Sequence, residues 1–497
     1  GSKMTIFTIA GTVTLLLCSL PAVSHLQQCA YRTDKSYFKI FKSGYFVLLC
    51  VVQTASLLLL FLADRNAGDG MCVLLLCVVA VLTSRANRKS NKPLKFTARV
   101  IRLLSVQTCL YCVLCILVGV CYVAVFLPVI TAIASLVCVP VEKAISSKYL
   151  KSAVAKLKDS PAVKIAVTGS YGKTSVKNIL SQLLDCDATP FSYNTPMGIA
   201  RYINDGDFSR SQYIVLEFGA RHRGDISRLC RIAPPDISVI SGITAQHLET
   251  FKSIDAIIDE KGRVIDFTSP DGFCVINGYS DFVDSYADRG KCRKVFTGKD
   301  GLRFTVNGTD GGDKLVLDVF DGDRKVSFCS PLLSLASVEN IVCALQVCSL
   351  LGHDIADYTG KVASLKQIPH RMEVIHAPQF TVIDDCYNAN IRGVESCCKT
   401  LELLEGNKVA ISQGIVEGGK DQSRLNVECG KLLGRCCEYV IVTGINGNDI
   451  ACGVSSVKGK TLFADTLSEA VTLVGQLPCQ VRYVLFQNDI PTDATKL

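Results

Sequence analysis

The sequence predicts an α/β protein in which a helical transmembrane domain precedes two parallel-sheet domains, and three observations lead to this fold class. The first 140 of 497 residues carry most of the long apolar runs. From about Pro161, strand-like and helix-like segments alternate, which is typical of a parallel sheet with crossover helices. The first of these strands runs into a glycine turn and then a helix, the arrangement of a phosphate-binding loop.

The N-terminal region contains four apolar stretches that we interpret as membrane-spanning: Met4–Val23, Tyr45–Ala63, Met71–Thr83 and Thr108–Val141. A signal peptide is the alternative for the first, but a charged leading segment is almost lacking and further apolar stretches follow. The loop before the fourth stretch holds seven basic residues from Arg85 to Arg102 and no acid, and the loop Tyr31–Lys42 is also basic. Both loops are therefore expected in the cytoplasm, with the N-terminus outside.

The excess of basic residues fits this topology better than it fits a nucleic-acid partner. The net charge is +8, and much of that excess lies in the N-terminal loops.

Many of the 25 cysteines lie inside apolar runs, and adjacent pairs such as Cys397–Cys398 do not suit a disulfide framework. We expect reduced thiols that pack like small apolar residues, as in a cytoplasmic protein.

A candidate P-loop follows the strand-like run Val163–Val167 and consists of Gly169, Ser170, Tyr171, Gly172, Lys173, Thr174 and Ser175. The two glycines permit a tight turn, so that backbone N–H groups and the dipole of the next helix face an anion. We expect Lys173 to reach the outer phosphates of a nucleotide and the Thr174 hydroxyl to bind Mg²⁺. The spacing G-x-x-G-K-T is shorter than the common P-loop form, and a glycine turn followed by a solvated lysine is the alternative.

An ATP site must face the cytoplasm, and this constrains the fourth apolar stretch. Thr108–Val141 exceeds the length of one crossing, and Pro128 lies near its middle. A single crossing would place the P-loop outside the cell, so we predict a hairpin, or a span with a re-entrant helix, that returns at Pro128. The expected location is the cell membrane, with about four or five passes and the catalytic domains in the cytoplasm.

Strand-like runs after the P-loop indicate two α/β domains. The first contains Tyr213–Glu217, Ile237–Ile240 and Gly272–Ile276, with a strand-rich antiparallel insert from Val295 to Phe328. A boundary falls near residues 368–371, before further strands at Phe380–Ile383, Lys408–Ile411, Tyr439–Val442, Lys460–Phe463 and Arg482–Phe486. We therefore expect a helical transmembrane domain at residues 1–150, a P-loop parallel-sheet ATPase domain at 151–367 and a smaller Rossmann-like α/β domain at 368–497.

Two residues outside the P-loop are candidates for metal binding, and a third, Lys261, lies where a charged side chain is unexpected. Glu217 closes a strand after the P-loop helix, and a carboxylate at the carboxyl end of a parallel strand is well placed to bind Mg²⁺. His247 follows another strand, although an isolated histidine is more often structural. Lys261 lies on the apolar helix face formed by Ile254, Ile257, Ile258 and Ile265. A lysine there must snorkel, pair or change its charge.

Together these motifs resemble the Mur ligase family, the ATP-dependent amide-forming ligases of peptidoglycan precursor synthesis, over roughly residues 160–497. The family's T-G-x-x-G-K-T is present as Thr168–Thr174, and its E-x-G-A as Glu217–Ala220. Its A-H-L-E-x-F segment appears as Gln246–Phe251, preceded by Ala245. Asp384–Asn390 is close to the D-D-S-Y-N-A-N of the branch that adds D-alanyl-D-alanine, to which the chain is most similar.

The resemblance implies a role for each candidate residue. Lys173 and Lys261 would be catalytic with His247, and Lys261 falls where the family carries a lysine that CO₂ converts to an anionic carbamate. Mg²⁺ would be held by Thr174, Glu217, His247 and Lys261. Asn340 matches the adenine-side asparagine, although Ser334, Ala336 and Ser337 replace the Gly, His and Asn of that motif. Further nucleotide contacts would come from Arg371, Asp385 and Asn388.

The implied activity is ATP- and Mg²⁺-dependent amide bond formation between a carboxylate and an amine, with an acyl phosphate as intermediate and ADP as product. Apolar stretches stand where the family has its N-terminal UDP-sugar domain. We therefore expect a lipid-linked or membrane-proximal acceptor in cell-wall precursor synthesis or modification, and an amino acid or dipeptide as the amine.

Two other classes of function remain open from the sequence. The chain could be an ATP-driven membrane transporter or signalling protein, or a nucleotide-binding membrane scaffold for cell-wall enzymes. The helix of Lys261 and the Asp384–Asn390 segment argue against a transporter, since ATP hydrolysis alone needs neither. The presence of Lys173, Glu217 and His247 argues against an inactive scaffold.

Overall fold

The computed structural model describes residues 2–29, 31, 33, 37–62, 65–88, 94–118, 120–190, 193–244, 248–310, 313–386, 391–416 and 421–487. The chain divides into two compact units, Gly1–Lys148 and Tyr149–Leu497.

The first unit is helical. Its helices are α1 Ser2–Gln28, α2 Gly44–Leu62, α3 Arg65–Arg88, α4 Ala98–Leu117 and α5 Leu127–Lys158, which continues into the second unit. Within the described residues, three helical segments are long and apolar enough to cross a membrane: Thr8–Gln28, Ala98–Leu117 and Ala124–Lys158. Gly44–Leu58 and Gly70–Arg85 are apolar but shorter. Whether any of them crosses a membrane stays a prediction.

The fourth apolar stretch forms two antiparallel helices. Helix α4 ends at Leu117, and α5 begins at Leu127 after two short 3-10 turns. Gln107 Nε2 donates to Thr131 Oγ1 at 2.8 Å, and Arg102 Nε donates to Glu142 Oε1 at 2.7 Å. The chain thus reverses immediately before Pro128, at the second position of α5, where a missing N–H costs no helical hydrogen bond.

The largest errors in the predicted boundaries of this unit are at the starts of α4 and α3. Helix α4 begins at Ala98 rather than near Thr108, because the Thr97 hydroxyl accepts the amide of Val100 and caps the helix. Arg99 and Arg102 therefore belong to a helix rather than to a loop. Helix α3 already begins at Arg65, so residues 65–70 are helical where a polar turn was expected.

The first sheet of the second unit is parallel throughout, in the strand order β2-β3-β1-β4-β5-β6. Its elements are β1 Val163–Thr168, α6 Lys173–Leu183, β2 Asp187–Ala188, α7 Pro196–Asp205, β3 Tyr213–Glu217, α8 Asp225–Ile232, β4 Ile237–Ile240, α9 Leu248–Phe251, α10 Ile254–Phe267, β5 Phe273–Asn277 and β6 Arg293–Thr297. Strands β3 and β4 lie on opposite sides of β1. The strand order therefore reverses at β1, and ligands of open α/β sheets bind in the crevice at such a reversal.

A small antiparallel sheet follows, made of β7 Arg303–Thr309, β8 Leu315–Asp321 and β9 Arg324–Ser330. The predicted insert is thus present, but its expected start at Val295 is wrong because β6 pairs in parallel with β5. Helices α11 Leu335–Leu350 and α12 Thr359–Ala363 come next.

The last sheet has the order β10-β11-β15-β12-β13-β14, with only the β10–β11 pair antiparallel. Its elements are β10 Glu373–His376, β11 Thr381–Asp385, α13 Ile391–Glu402, β12 Asn407–Ser412, α14 Gln422–Cys436, β13 Tyr439–Val442, α15 Gly447–Ser455, β14 Lys460–Phe463, α16 Leu467–Gly475 and β15 Val481–Gln487. The prediction of an α/β fold built on parallel sheets is confirmed. One buried cluster includes residues of α11 and α13, so a single hydrophobic core connects the two larger sheets.

Candidate nucleotide-binding site

The turn after β1 has a backbone that requires glycine. Gly169 and Gly172 have φ of +150° and +77°, conformations that other residues rarely adopt. A Cβ on Gly172 would lie 2.6 Å from Asn340 Oδ1, and one on Gly169 would lie 2.4 Å from Ser241 Oγ. Because the loop packs this closely against α11 and the end of β4, side chains at either glycine are excluded.

The residues between the glycines are fixed by the chain that follows β4. Ser170 N donates to Gly242 O at 2.7 Å, and Ser170 Oγ donates to Thr244 O at 3.1 Å. The Ser241 hydroxyl donates to Tyr171 O. Helix α6 then begins at Lys173, and its N-cap Gly172 supplies no side-chain acceptor. The first amides of α6 are thus available to an anion.

Lys173 is a half-buried cation beside this helix end. Its Nζ donates to Ser170 O at 3.0 Å. Burial lowers the pKa of Lys173 to about 8, against the opposing effect of Glu217 and with a further lowering by Arg371. A desolvated ammonium held by a backbone carbonyl gains strongly from an incoming phosphate, so this position fits a nucleotide.

Thr174 and Glu217 form a hydrogen-bonded pair of side-chain oxygens. Glu217 is 3% exposed. Its Oε2 accepts from Thr174 Oγ1 at 3.0 Å, and its Oε1 accepts from Asn194 Nδ2 at 3.2 Å. Lys177 Nζ lies 3.8 Å from Oε2. A hydroxyl and a carboxylate in contact, next to a phosphate site, are the donors that Mg²⁺ prefers, so these residues fit the metal.

Lys261 is buried on α10, with 4% of its surface exposed. The apolar face expected around it is present, since Ile257, Val264 and Ile265 are fully buried, although Ile258 is half-buried. Burial, reinforced by the nearby Lys173 ammonium, lowers the pKa of Lys261 to about 7. A lysine with a substantial uncharged fraction near neutral pH can capture CO₂, which the ammonium form cannot.

The nucleotide-side candidates come from three segments. Asn340, on α11, is buried against Gly172. Arg371 acts electrostatically on both Lys173 and Asp385, which places the chain before β10 beside the P-loop. Asp385 Oδ1 accepts from Met372 N at 3.3 Å, and its Oδ2 accepts from Cys397 Sγ at 3.2 Å. Burial raises the pKa of Asp385 to about 6, although Cys397 and Arg371 oppose the shift.

The structure thus brings Lys173, Thr174, Glu217, Lys261 and Asn340 to the carboxyl end of the first sheet. Arg371 acts on Lys173 from the chain before β10, and Asp385 lies near Arg371. His247 and Asn388 lie outside the described residues.

Four residues that the sequence did not single out contribute to the site. Asn194 and Lys177 contact Glu217, and Glu260 accepts the amides of Gly224 and Ile226 at 2.7 and 2.8 Å, which holds the start of α8. Arg392, at the start of α13, forms an ion pair with Asp281 and donates to the Tyr171 hydroxyl at 3.4 Å. Lys177 could have been found as a lysine among the apolar positions of α6; the others carry no local signal.

The changed adenine-side motif also has a structural explanation. The Ser334 hydroxyl caps α11 by accepting from Ser337 N at 3.0 Å. Ala336 N donates to Ser396 Oγ on α13 at 3.2 Å. The small side chains therefore let α13 pack directly on the first turn of α11.

Comparisons with known proteins agree with this geometry. Residues 167–348 match the Mur ligase middle domain. The UDP-N-acetylmuramoyl-tripeptide–D-alanyl-D-alanine ligase of Escherichia coli strain K12 is 26% identical over 287 residues, which cover 54% of this chain and 62% of that enzyme. The enzyme of the same name from Mycobacterium leprae is 31% identical over 281 residues, covering 49% and 51%. The chain therefore spans only about half to three fifths of these relatives' length.

Solved structures show the same fold. The MurF ligase from Thermotoga maritima in complex with ADP has a TM-score of 0.60 and 25% identity, over 69% of this chain and 80% of that one. A MurF from Acinetobacter baumannii has a TM-score of 0.63 and 21% identity, over 71% and 79%. Residues 167–348 are thus identified as a Mur ligase middle domain, and the chain is similar in sequence and fold to the family's D-alanyl-D-alanine-adding branch.

Proposed function

We propose that the protein is an ATP-dependent, ADP-forming ligase that joins a carboxylate to an amine through an acyl phosphate, in cell-wall precursor synthesis or modification at the membrane. The observation that carries this proposal is the burial of Lys261 near the P-loop and the Thr174–Glu217 pair. ATP hydrolysis needs the P-loop and one metal site. Carbamoylation of Lys261 would create a second anionic position, which suits an additional metal beside the acyl phosphate.

The residues of the site act by positioning and by charge. ATP with Mg²⁺ supplies the phosphoryl group that activates the carboxylate. The loop amides and Lys173 would neutralise the phosphates, and Thr174 with Glu217 would hold one Mg²⁺. Carbamoylated Lys261 and His247 would hold the second. Asn340 contacts the adenine side, while Arg371, Asp385 and Asn388 bind the nucleotide from the linker and the last domain.

The same proposal includes three domains and a membrane location. We assign residues 1–150 to a helical transmembrane domain, 151–367 to the ATP-binding domain and 368–497 to the C-terminal α/β domain. Five helices with basic segments at alternate connections would carry the chain from an outside N-terminus to cytoplasmic catalytic domains. The antiparallel pair α4–α5 supports this odd number of crossings. An acceptor that is lipid-linked or close to the membrane would suit such a location, and the amine would be an amino acid or dipeptide.

The test is phosphate release from ATP by the full chain in detergent, with lipid extract as acceptor source and a panel of amino acids and dipeptides. We expect release to depend on one amine and to be lost in Lys173→Ala. Lys164→Ala is the matched control, because Lys164 pairs with Asp236 at 2.7 Å at the opposite end of β1. Phosphate release that no amine changes would instead support an ATP-driven transporter.

A further inference from the structure

Lys177 is a buried cation to which the proposed chemistry gives no role. It lies on the second turn of α6 and is 2% exposed. Its Nζ donates to Thr189 O at 2.7 Å and lies 3.8 Å from Glu217 Oε2. The Thr189 hydroxyl in turn accepts a hydrogen bond from Glu217 N at 3.0 Å. Each of these three residues, Lys177, Thr189 and Glu217, therefore contacts the other two.

This arrangement supplies the cation that Glu217 requires. A buried carboxylate is costly unless a charge of opposite sign and further hydrogen bonds compensate it. The hydrogen-bond donors to Glu217 among the described residues, Thr174 and Asn194, are neutral. Lys177 makes the ion pair, and Lys173 also lies close enough for Glu217 to influence its pKa. Before any nucleotide binds, two ammonium groups thus surround one carboxylate.

A free divalent cation would meet an unfavourable potential at this carboxylate. Thr189 fixes the Lys177 ammonium, so the lysine cannot easily leave when a metal approaches. Nucleotide phosphates carry the negative charge that would offset both lysines and make the site favourable for a cation.

We propose that Lys177 is a positioning residue and built-in counter-ion for Glu217, which makes divalent-cation binding at Glu217 depend on a bound nucleotide. The metal then enters together with the nucleotide phosphates rather than ahead of them. This inference rests on the proposed function in one respect, that Glu217 is a metal ligand.

The test measures Mn²⁺ binding by electron paramagnetic resonance, with and without ADP, in the full chain. The wild type should bind Mn²⁺ weakly alone and much more tightly with ADP. Lys177→Gln keeps a donor for Thr189 but removes the charge, and should tighten ADP-free Mn²⁺ binding at least roughly tenfold. Lys177→Arg should behave like the wild type. Lys164→Gln, on β1, is the control for loss of a lysine elsewhere in the same domain.

The gain must disappear in the double variant Lys177→Gln/Glu217→Gln, since the metal then has no carboxylate. A folded Lys177→Gln protein with unchanged or weaker ADP-free Mn²⁺ binding would overturn the proposal, because a purely structural role can only weaken the site. If Lys177→Gln does not fold, Mn²⁺ binding to the wild type becomes the test. Tight ADP-free Mn²⁺ binding that Glu217→Gln abolishes contradicts the proposal, and ADP-dependent binding supports it. None of these readouts requires ligation, so failure of the ligase proposal remains distinguishable.

Discussion

Replacement of Lys261 should abolish most of the ligase activity in a way that an added anion can partly restore. Burial and Lys173 lower the pKa of Lys261 from 10.5 to about 7. At pH 7 this raises the uncharged fraction from below about one in a thousand to roughly one half. Carbamoylation by CO₂ is therefore available at neutral pH, and the resulting anion suits a metal. Lys261→Ala should reduce amine-dependent phosphate release by roughly 10²–10³-fold, the range for loss of one preorganised electrostatic group.

Short carboxylic acids such as formate, acetate and propionate should restore part of the activity of Lys261→Ala by occupying the vacated anion position. Lys261→Arg should be inactive and not rescued, because its side chain fills the space with permanent positive charge. Activity of the wild type should also fall as the pH drops below about 7, since the protonated amine cannot react with CO₂. Nearly full activity in Lys261→Arg would refute the carbamate and leave a lysine that only extends towards solvent.

Three further predictions concern other parts of the chain. Lys173→Ala should lower phosphate release by roughly 10²–10³-fold with an unchanged circular dichroism spectrum; near-normal turnover would remove the P-loop assignment. The raised pKa of Asp385, about 6 against an ordinary 3.8, means that its contribution to stability is present at acid pH and is lost as pH rises through 6. Asp385→Asn should therefore unfold at a higher temperature than the wild type at pH 7 but not at pH 4, and equal differences at both would contradict this. Reporter fusions at Asn91 and Leu497 should report the same, cytoplasmic side of the membrane; opposite sides would exclude the topology proposed for α4 and α5.

Local sequence patterns are sufficient to predict the P-loop and the burial of Lys261. The strand β1, the two glycines and the apolar positions of α6 are contiguous, so their geometry follows from neighbours in sequence. Lys261 is separated by three or four residues from Ile257, Ile258 and Ile265, and helical periodicity alone placed it on the buried face.

The remaining contacts depend on tertiary structure. Asn194 reaches Glu217 from a loop after β2, a strand of two residues that has no recognisable pattern. Arg392 approaches Tyr171 across 221 residues of sequence. The start of α4 was missed because Arg99 and Arg102 interrupt the apolar run, and both form an ion pair with Glu142 on α5, which no local pattern reveals.

Oxygen-18 tracing of the released phosphate distinguishes a ligase from an ATPase without knowledge of the acceptor. In the proposed reaction a carboxylate oxygen attacks the γ-phosphorus, the amine then attacks the acyl carbon, and phosphate leaves with the carboxylate oxygen. In H₂¹⁸O with the required amine and lipid extract, the phosphate should therefore contain no oxygen from water beyond the level of the Lys173→Ala background. One ¹⁸O in each phosphate would show that water is the attacking group, and would contradict ligation through an acyl phosphate.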